Sequence, residues 1–160
     1  MNKNTIAIAL GVFLISASSC NNNPKTSEKT DGVEQTAANS EQTAVEFKIA
    51  ENYFVNNTVK ENVPAKITTQ EEFDKYFGKA TTMGENGKPT PIDFSKEYVI
   101  VADYNITNKK TQVTPVSLEK KGSEIVFNYK IAEGEDAGFT MRPFLAIIVS
   151  KNVDGDVILQ

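Results

Sequence analysis

Hydrophobic residues along this chain fall into three textures. From Ile6 to Ile15 they form one short unbroken run, from Asn21 to about Val45 they almost vanish, and from about Glu46 to Gln160 they return in short bursts between turn residues. Most bursts have the length and period of strands. Phe47, Ile49, Tyr53, Phe54 and Val55 predict a first strand or a pair of short ones, closed by the polar turn Asn56-Asn57-Thr58, and Pro64 to Ile67 a further extended piece. Tyr98 to Tyr104 is apolar on both faces at its start, as a strand covered on each side would be. The alternation Ile125, Phe127, Tyr129, Ile131 has the period of a half-buried strand, and with Val113 to Glu119 it predicts a hairpin about Lys120-Lys121-Gly122-Ser123. Phe139 to Ser150 contains the run Phe144-Leu145-Ala146-Ile147-Ile148-Val149, and Asn152 to Asp156 turns into a last strand, Val157 to Leu159.

One helix is predicted. Thr69-Gln70-Glu71-Glu72 has the form of a capping box, in which the Thr69 hydroxyl accepts from the Glu72 amide and the Glu72 carboxylate from the Thr69 amide. Phe73, Tyr76 and Phe77 then share a face that packs into the core, and Gly78 is placed to stop the helix in a left-handed cap. Met83 to Pro91, with Gly84, Gly87, Pro89 and Pro91, reads as a loop. Strands far outnumber helices and no βαβ alternation calls for a parallel sheet. The expected fold is therefore mainly β: a small antiparallel β-barrel or sandwich with one short α-helix. Pro115 and Pro143 belong at a bulge, a strand start or an edge, since neither can donate to a ladder.

The ends of the pattern carry their own meaning. Residues 1–19, with Lys3 in a short polar start, the apolar run and the small residues Ser16-Ala17-Ser18-Ser19, have the layout of a secretory signal. That run is well short of the ~20 apolar residues a transmembrane helix needs. Ala17-Ser18-Ser19-Cys20 resembles a relaxed lipobox, without the usual Leu three residues before the cysteine, which makes Cys20 the expected site of lipidation. Acyl chains on that residue, at ~0.8 kcal/mol per buried CH₂, would anchor the protein durably. The competing reading is an ordinary secreted protein with an incidental cysteine. Residues 20–45 then form the lipidated terminus and a tether too poor in large apolar groups to order itself, with a root-mean-square span of ~25–30 Å. Residues 46–160 form a single β-rich domain. The expected location is the outer membrane or cell surface, with contact to the membrane through the N-terminal lipid only.

Charge and chemistry narrow the function. The chain has 17 Lys and Arg against 21 Asp and Glu, and cleavage would remove Lys3, leaving 16 against 21, a net −5. Without a strong basic patch, such a surface argues against nucleic acid as a partner. Lys109-Lys110 and Lys120-Lys121 read as solvated turns. There is no histidine and the one cysteine is assigned to lipid, so Ser-His-Asp and Cys-His catalysis are excluded and the usual zinc sites cannot be assembled. Asp93, Glu97, Asp103, Glu133, Glu135 and Asp136 could serve as acids or bases, but spacing alone does not pair them. Asn152-Val153-Asp154-Gly155-Asp156 resembles a calcium loop only superficially, because Val157 occupies the position that requires Gly. The expectation is no catalytic residue, no metal and no cofactor.

A β domain of this kind acts by contact, through loops on a rigid scaffold. Three segments stand out: Met83 to Pro91, Tyr104 to Thr111, and the acidic, glycine-bearing Ala132 to Gly138 with Phe139 beside it. An apolar side chain at the tip of a polar loop can anchor in a partner's pocket and dominate the binding energy. The candidate contact residues are Asn105, Ile106 and Thr107, with Met83 second. In the competing reading Ile106 continues the preceding strand and packs inward.

The stretch Pro91-Ile92-Asp93-Phe94-Ser95-Lys96-Glu97-Tyr98-Val99-Ile100-Val101, with Thr140-Met141-Arg142-Pro143-Phe144-Leu145-Ala146-Ile147 downstream, resembles the C-terminal domain of a bacterial protease-complex subunit family. The lipobox, the Asn52-Tyr53-Phe54-Val55 opening and the single helix in a small β domain also resemble the potempins, lipoproteins that inhibit proteases secreted by their own bacteria. That resemblance implies a membrane-anchored inhibitor of a secreted protease, a metalloprotease among the candidate classes, blocking its cleft with an exposed loop. The alternative is a non-catalytic binding or assembly subunit of a cell-envelope complex.

Overall fold

The computed structural model describes residues 42–81, 83–84 and 87–160. The expected signal, Cys20 and nearly all of the expected tether lie outside the described residues.

Two strands explain the architecture. β6 (Glu97–Asp103) and β9 (Phe144–Ser150) pair antiparallel and are buried on both faces along almost their whole length. On one face Tyr98, Ile100, Ala102, Leu145, Ile147 and Val149 meet Leu118, Ile125 and Phe127 of a second sheet. On the other, Val99, Val101, Ala146 and Ile148 meet Phe73, Tyr76 and Phe77. A sheet apolar on both sides must be covered on both sides. The result is a sandwich whose inner sheet carries a further, helical layer.

The inner sheet has the order β2-β9-β6-β4, with β2 (Lys48–Ile49) and β4 (Lys66–Ile67) at its edges. The facing sheet is β1-β7-β8-β10, built on the hairpin of β7 (Thr107–Lys121) and β8 (Glu124–Met141), with β1 (Gln42–Ala44) and β10 (Asp156–Leu159) outside them. Both sheets are open, so of the two expected forms the sandwich is the one found. β10 runs parallel to β8, while the remaining described strand pairs are antiparallel. Strand pairing also reaches into residues expected to be tether. β1 pairs with β7 through Gln42↔Lys121 and Ala44↔Glu119, although its residues had read as tether. Backbone hydrogen bonds, which hydropathy does not register, hold these exposed residues in place.

Helix α1 (Gln70–Tyr76) starts where expected, with the Thr69 hydroxyl accepting from the Glu72 amide at 3.2 Å. It does not end on a left-handed glycine. Phe77 is the C-cap in extended conformation (φ −121°, ψ 138°), and the chain passes directly into β5 (Phe77–Lys79), which pairs with β3 (Tyr53–Val55). Gly78 serves a different purpose, because a Cβ there would come within 2.8 Å of Phe54 Cε1. Its missing side chain makes room for the Phe54 ring across the strand. Pro115 lies beside a register shift, on a stretch of β7 beyond the reach of β1, and Pro143 lies between β8 and β9, as a residue without an N–H requires.

Candidate contact ribbon

The last pair of the inner ladder is Asp103↔Phe144, and the first of the outer ladder is Thr107↔Met141. The same two chain segments thus run as one ribbon from sheet to sheet. Its middle was expected to be loop. Instead, Tyr104 to Thr111 largely belongs to β7 and Ala132 to Gly138 to β8, which reach 15 and 18 residues. Nearly every side chain of 108–112 and 130–136 is exposed. Strands exposed on both faces show no alternation of apolar and polar residues, which is why the pattern concealed them. The ribbon stands clear of the core, and its order comes from hydrogen bonds.

Those bonds are local and numerous. From Thr107↔Met141 to Lys109↔Asp136, β7 advances two residues and β8 five, so Ala137 to Thr140 bulge out opposite Asn108. Gly138 permits the bulge with φ 71°, and its amide donates to the Asp136 carboxylate at 2.7 Å. Asn108 Nδ2 donates to the other Asp136 oxygen at 2.7 Å. Across the ribbon, Glu133 accepts from Lys109 Nζ at 2.6 Å and from the Tyr104 hydroxyl at 2.8 Å. The Lys109 hydrogen bond, then that of Tyr104, holds the Glu133 carboxyl below its ordinary range, while Glu133 raises both partners. Lys109 is therefore a rung of the ribbon, where the sequence had suggested a solvated turn.

The base is pinned by an ion pair that the sequence did not reveal. Arg142 donates to Asp103 from Nε at 3.0 Å and from Nη2 at 2.5 Å, with side chains only 15% and 9% exposed. Its remaining donors reach the carbonyls of Val59 (3.1 Å) and Glu61 (2.8 Å), while the Val63 amide donates to Asp103 at 3.1 Å. The pair joins β6, the connection between β8 and β9, and the 59–63 segment in one bidentate clamp.

Ile106, 65% exposed, lies just outside this clamp. It does not pack inward as a continuation of β6. With Thr140, Met141 and Arg142 it borders a hollow of about 150 Å³ against the Asn56–Lys60 turn, and with Asn105 and Tyr104 it borders a second. Phe139, 61% exposed, is presented by the bulge. Asn105 is exposed and Thr107 half-buried, its hydroxyl accepting from the Lys109 amide at 3.1 Å. Met83 is fully exposed but lines neither hollow. Its loop is tied at the base by Asn52, which has φ 61°, accepts from the Ala80 amide and donates to the Lys88 carbonyl, each at 2.9 Å. Ile106 and Met83 are thus on separate elements.

The carboxylates considered for acid–base work are dispersed. Asp93 accepts from Ser95, Glu97 binds Lys48 and the Asp93 amide, Asp103 is in the clamp, and Glu133 and Asp136 are rungs of the ribbon. Glu135 is exposed on β8. Among the described residues no three of His, Cys, Asp or Glu gather as a metal site would require, and no helix is long and apolar enough to cross a membrane. No family model matches the chain, and neither the curated proteins nor the solved structures yielded a match.

Proposed function

We propose that this protein is a membrane-anchored inhibitor of a secreted protease, held by a lipid on Cys20 and contacting its target with the β7–β8 ribbon. The observation that carries the reading is the pair Ile106 and Phe139, both well over half exposed, Ile106 in the link that enters β7 and Phe139 on β8, on a frame fixed by the ribbon's own hydrogen bonds and by the Arg142–Asp103 clamp. Apolar anchors on a rigid frame suit an inhibitor, because little conformational entropy is lost when they enter a cleft. The potempin resemblance supports the same reading. So does a chain without histidine, which offers an inhibitor's surface in place of a triad. Asn105, Ile106 and Thr107 are the proposed contact residues, and the outer membrane or cell surface the proposed location.

The test is titration of the full-length protein against a panel of secreted metallo- and serine proteases, scoring residual activity and cleavage of the protein itself. The expected result is stoichiometric inhibition of one class without rapid cleavage. Ile106→Asp or Phe139→Asp should weaken it by roughly 30-fold, the loss of a ~2 kcal/mol anchor. A greater loss from Met83→Asp would move the contact to the 83–91 loop. If every protease keeps full activity, the inhibitor reading fails and a non-catalytic subunit of an envelope complex takes its place.

A further inference from the structure

The sandwich is open along the side where β4 and β10 are the edge strands. Lys66 on β4 stands opposite Ile100, so its side chain leaves on the face that Ile100 and Tyr98 turn toward the other sheet. It crosses the seam to the Asp154 carboxylate and to the Gly155 carbonyl, the latter at 3.0 Å. On the way its ammonium passes 4.9 Å from the centre of the Tyr98 ring. A hollow of about 340 Å³ opens here, lined by Lys66, Thr68, Tyr98, Lys151 and Asp154.

Two features of this hollow are unaccounted for by the fold. Tyr98 is 1% exposed, and its hydroxyl is the one buried side-chain polar atom among the described residues that has no hydrogen-bond partner. Buried polar atoms nearly always find one, and an unpaired hydroxyl costs about 1–3 kcal/mol. Burial, with a contribution from Asp154, pushes the phenol up to about 12, so at neutral pH it is a donor. The second feature is charge. Lys151 donates to the Phe94 carbonyl at 2.6 Å and the Thr68 carbonyl at 3.4 Å but has no carboxylate partner among the described residues. Lys120 reaches the Asp154 carbonyl at 2.6 Å from behind. Lys66 and the Gly155 amide thus already occupy the Asp154 carboxylate, and the Lys151 ammonium on the same hollow is left without a carboxylate of its own among the described residues, in a chain that is acidic overall.

We propose that this seam binds a single tetrahedral oxyanion, a phosphate or sulfate group, held by the ammonium groups of Lys66 and Lys151 and by the Tyr98 hydroxyl, with Thr68 at the rim. Uncompensated ammonium charge excludes a cation, and a neutral ligand would leave that charge unanswered. Lysines bind phosphate as point charges, and the phenol adds a directed donor. The group can arrive as a free anion or as the terminal phosphate of a lipid headgroup. The site is independent of the inhibitor reading and needs no protease to test.

The experiment is titration of the full-length protein in detergent with phosphate and sulfate, replacing chloride at constant ionic strength, while following the amide resonances of Thr68, Lys151 and Gly155. Saturable shifts are expected, with a dissociation constant on the order of 1 mM. Tyr98→Phe and Lys151→Met should each weaken binding about tenfold, the effect of one charge-assisted hydrogen bond. In anion-free buffer Tyr98→Phe should melt no lower than the unmodified protein, because it removes an unpaired hydroxyl. Saturation by phosphatidate presented in mixed micelles, well below the free-phosphate concentration, would assign the lipid source, and the reverse order the free anion. The proposal is overturned if neither anion saturates the shifts, if Tyr98→Phe binds phosphate as well as the parent, or if it melts lower in anion-free buffer. In that last case a water already satisfies the hydroxyl.

Discussion

Arg142→Met isolates the clamp at the base of the ribbon. Methionine keeps the apolar stem of the side chain and deletes the guanidinium, leaving the Asp103 carboxylate, 9% exposed, without its cation, and the Val59 and Glu61 carbonyls without the donors that now reach them. Removing one partner of a buried pair costs about 3–5 kcal/mol, mostly as the penalty of the charge left behind. With a urea slope of about 1.5 kcal/mol/M, the unfolding midpoint should drop by roughly 2–3 M. Adding Asp103→Asn removes the stranded charge while keeping an oxygen for the Val63 amide, so the double variant should recover about half of that loss. Urea unfolding of the full-length protein followed by circular dichroism reads both numbers. Hydrogen exchange at Tyr104, whose amide donates to the Pro143 carbonyl at 3.0 Å, reads whether the ribbon base opens first. A loss below about 1 kcal/mol for Arg142→Met, or no recovery in the double variant, would refute the view that a desolvated ion pair pins the ribbon.

The same substitution at two glycines should have unequal costs. At Gly155 a Cβ would overlap the backbone carbonyl of Ser123, which accepts from Asp156 and registers β10, so Gly155→Ala should cost about 1–3 kcal/mol; at Gly78 it meets the exposed Phe54 ring, which can swing aside, and the cost should stay below about 1 kcal/mol. Equal melting-temperature losses in the two variants would contradict this ordering. The pH profile of unfolding has a defined shape. Hydrogen bonds and ion pairs hold Glu61, Glu97, Glu133, Asp93 and Asp154 below their ordinary values of 4.5 for Glu and 3.8 for Asp, so the unfolded chain takes up protons first as pH falls. Stability should be nearly flat from pH 5.5 to 8 in a chain with no histidine, then decline below about 4.5; a urea midpoint unchanged down to pH 3 would show that these contacts do not favour the folded state.

The fold was legible wherever burial leaves a signature in the side chains. Tyr98 to Ala102 and Phe144 to Val149 are apolar on both faces, which announces a covered strand before any partner is known. Phe73, Tyr76 and Phe77 mark the helix and the face it buries, and Gly122-Ser123 the turn of the hairpin. Gln42 to Ala44 carries no such signature, since its three side chains are exposed and the ladder to β7, with a side-chain hydrogen bond from Gln42 to Glu119, holds it. Gly78 misled for a related reason. Glycine after a helix commonly supplies a left-handed cap, but here the space it leaves is filled by a side chain from another strand, a contact no local pattern encodes.

The candidate site divides along the same line. Ile106 was legible as an apolar residue among polar ones, and its exposure follows from the chain leaving β6 at Asp103 before the ribbon begins at Thr107. The frame that holds it was not. Asp103 and Arg142 are 39 positions apart, and so distant a pair becomes visible only when β6 and β9 align in register. The rungs Lys109–Glu133 and Asn108–Asp136 depend on the offset that the Ala137–Thr140 bulge introduces. Shifting that register by one residue would turn Phe139 to the opposite side and separate Asp136 from Asn108. The bulge therefore sets both the direction of the apolar anchors and the bonds that keep the ribbon stiff. Closing it by deleting three residues should disturb contact and rigidity together, whereas a point change at Ile106 should disturb contact alone.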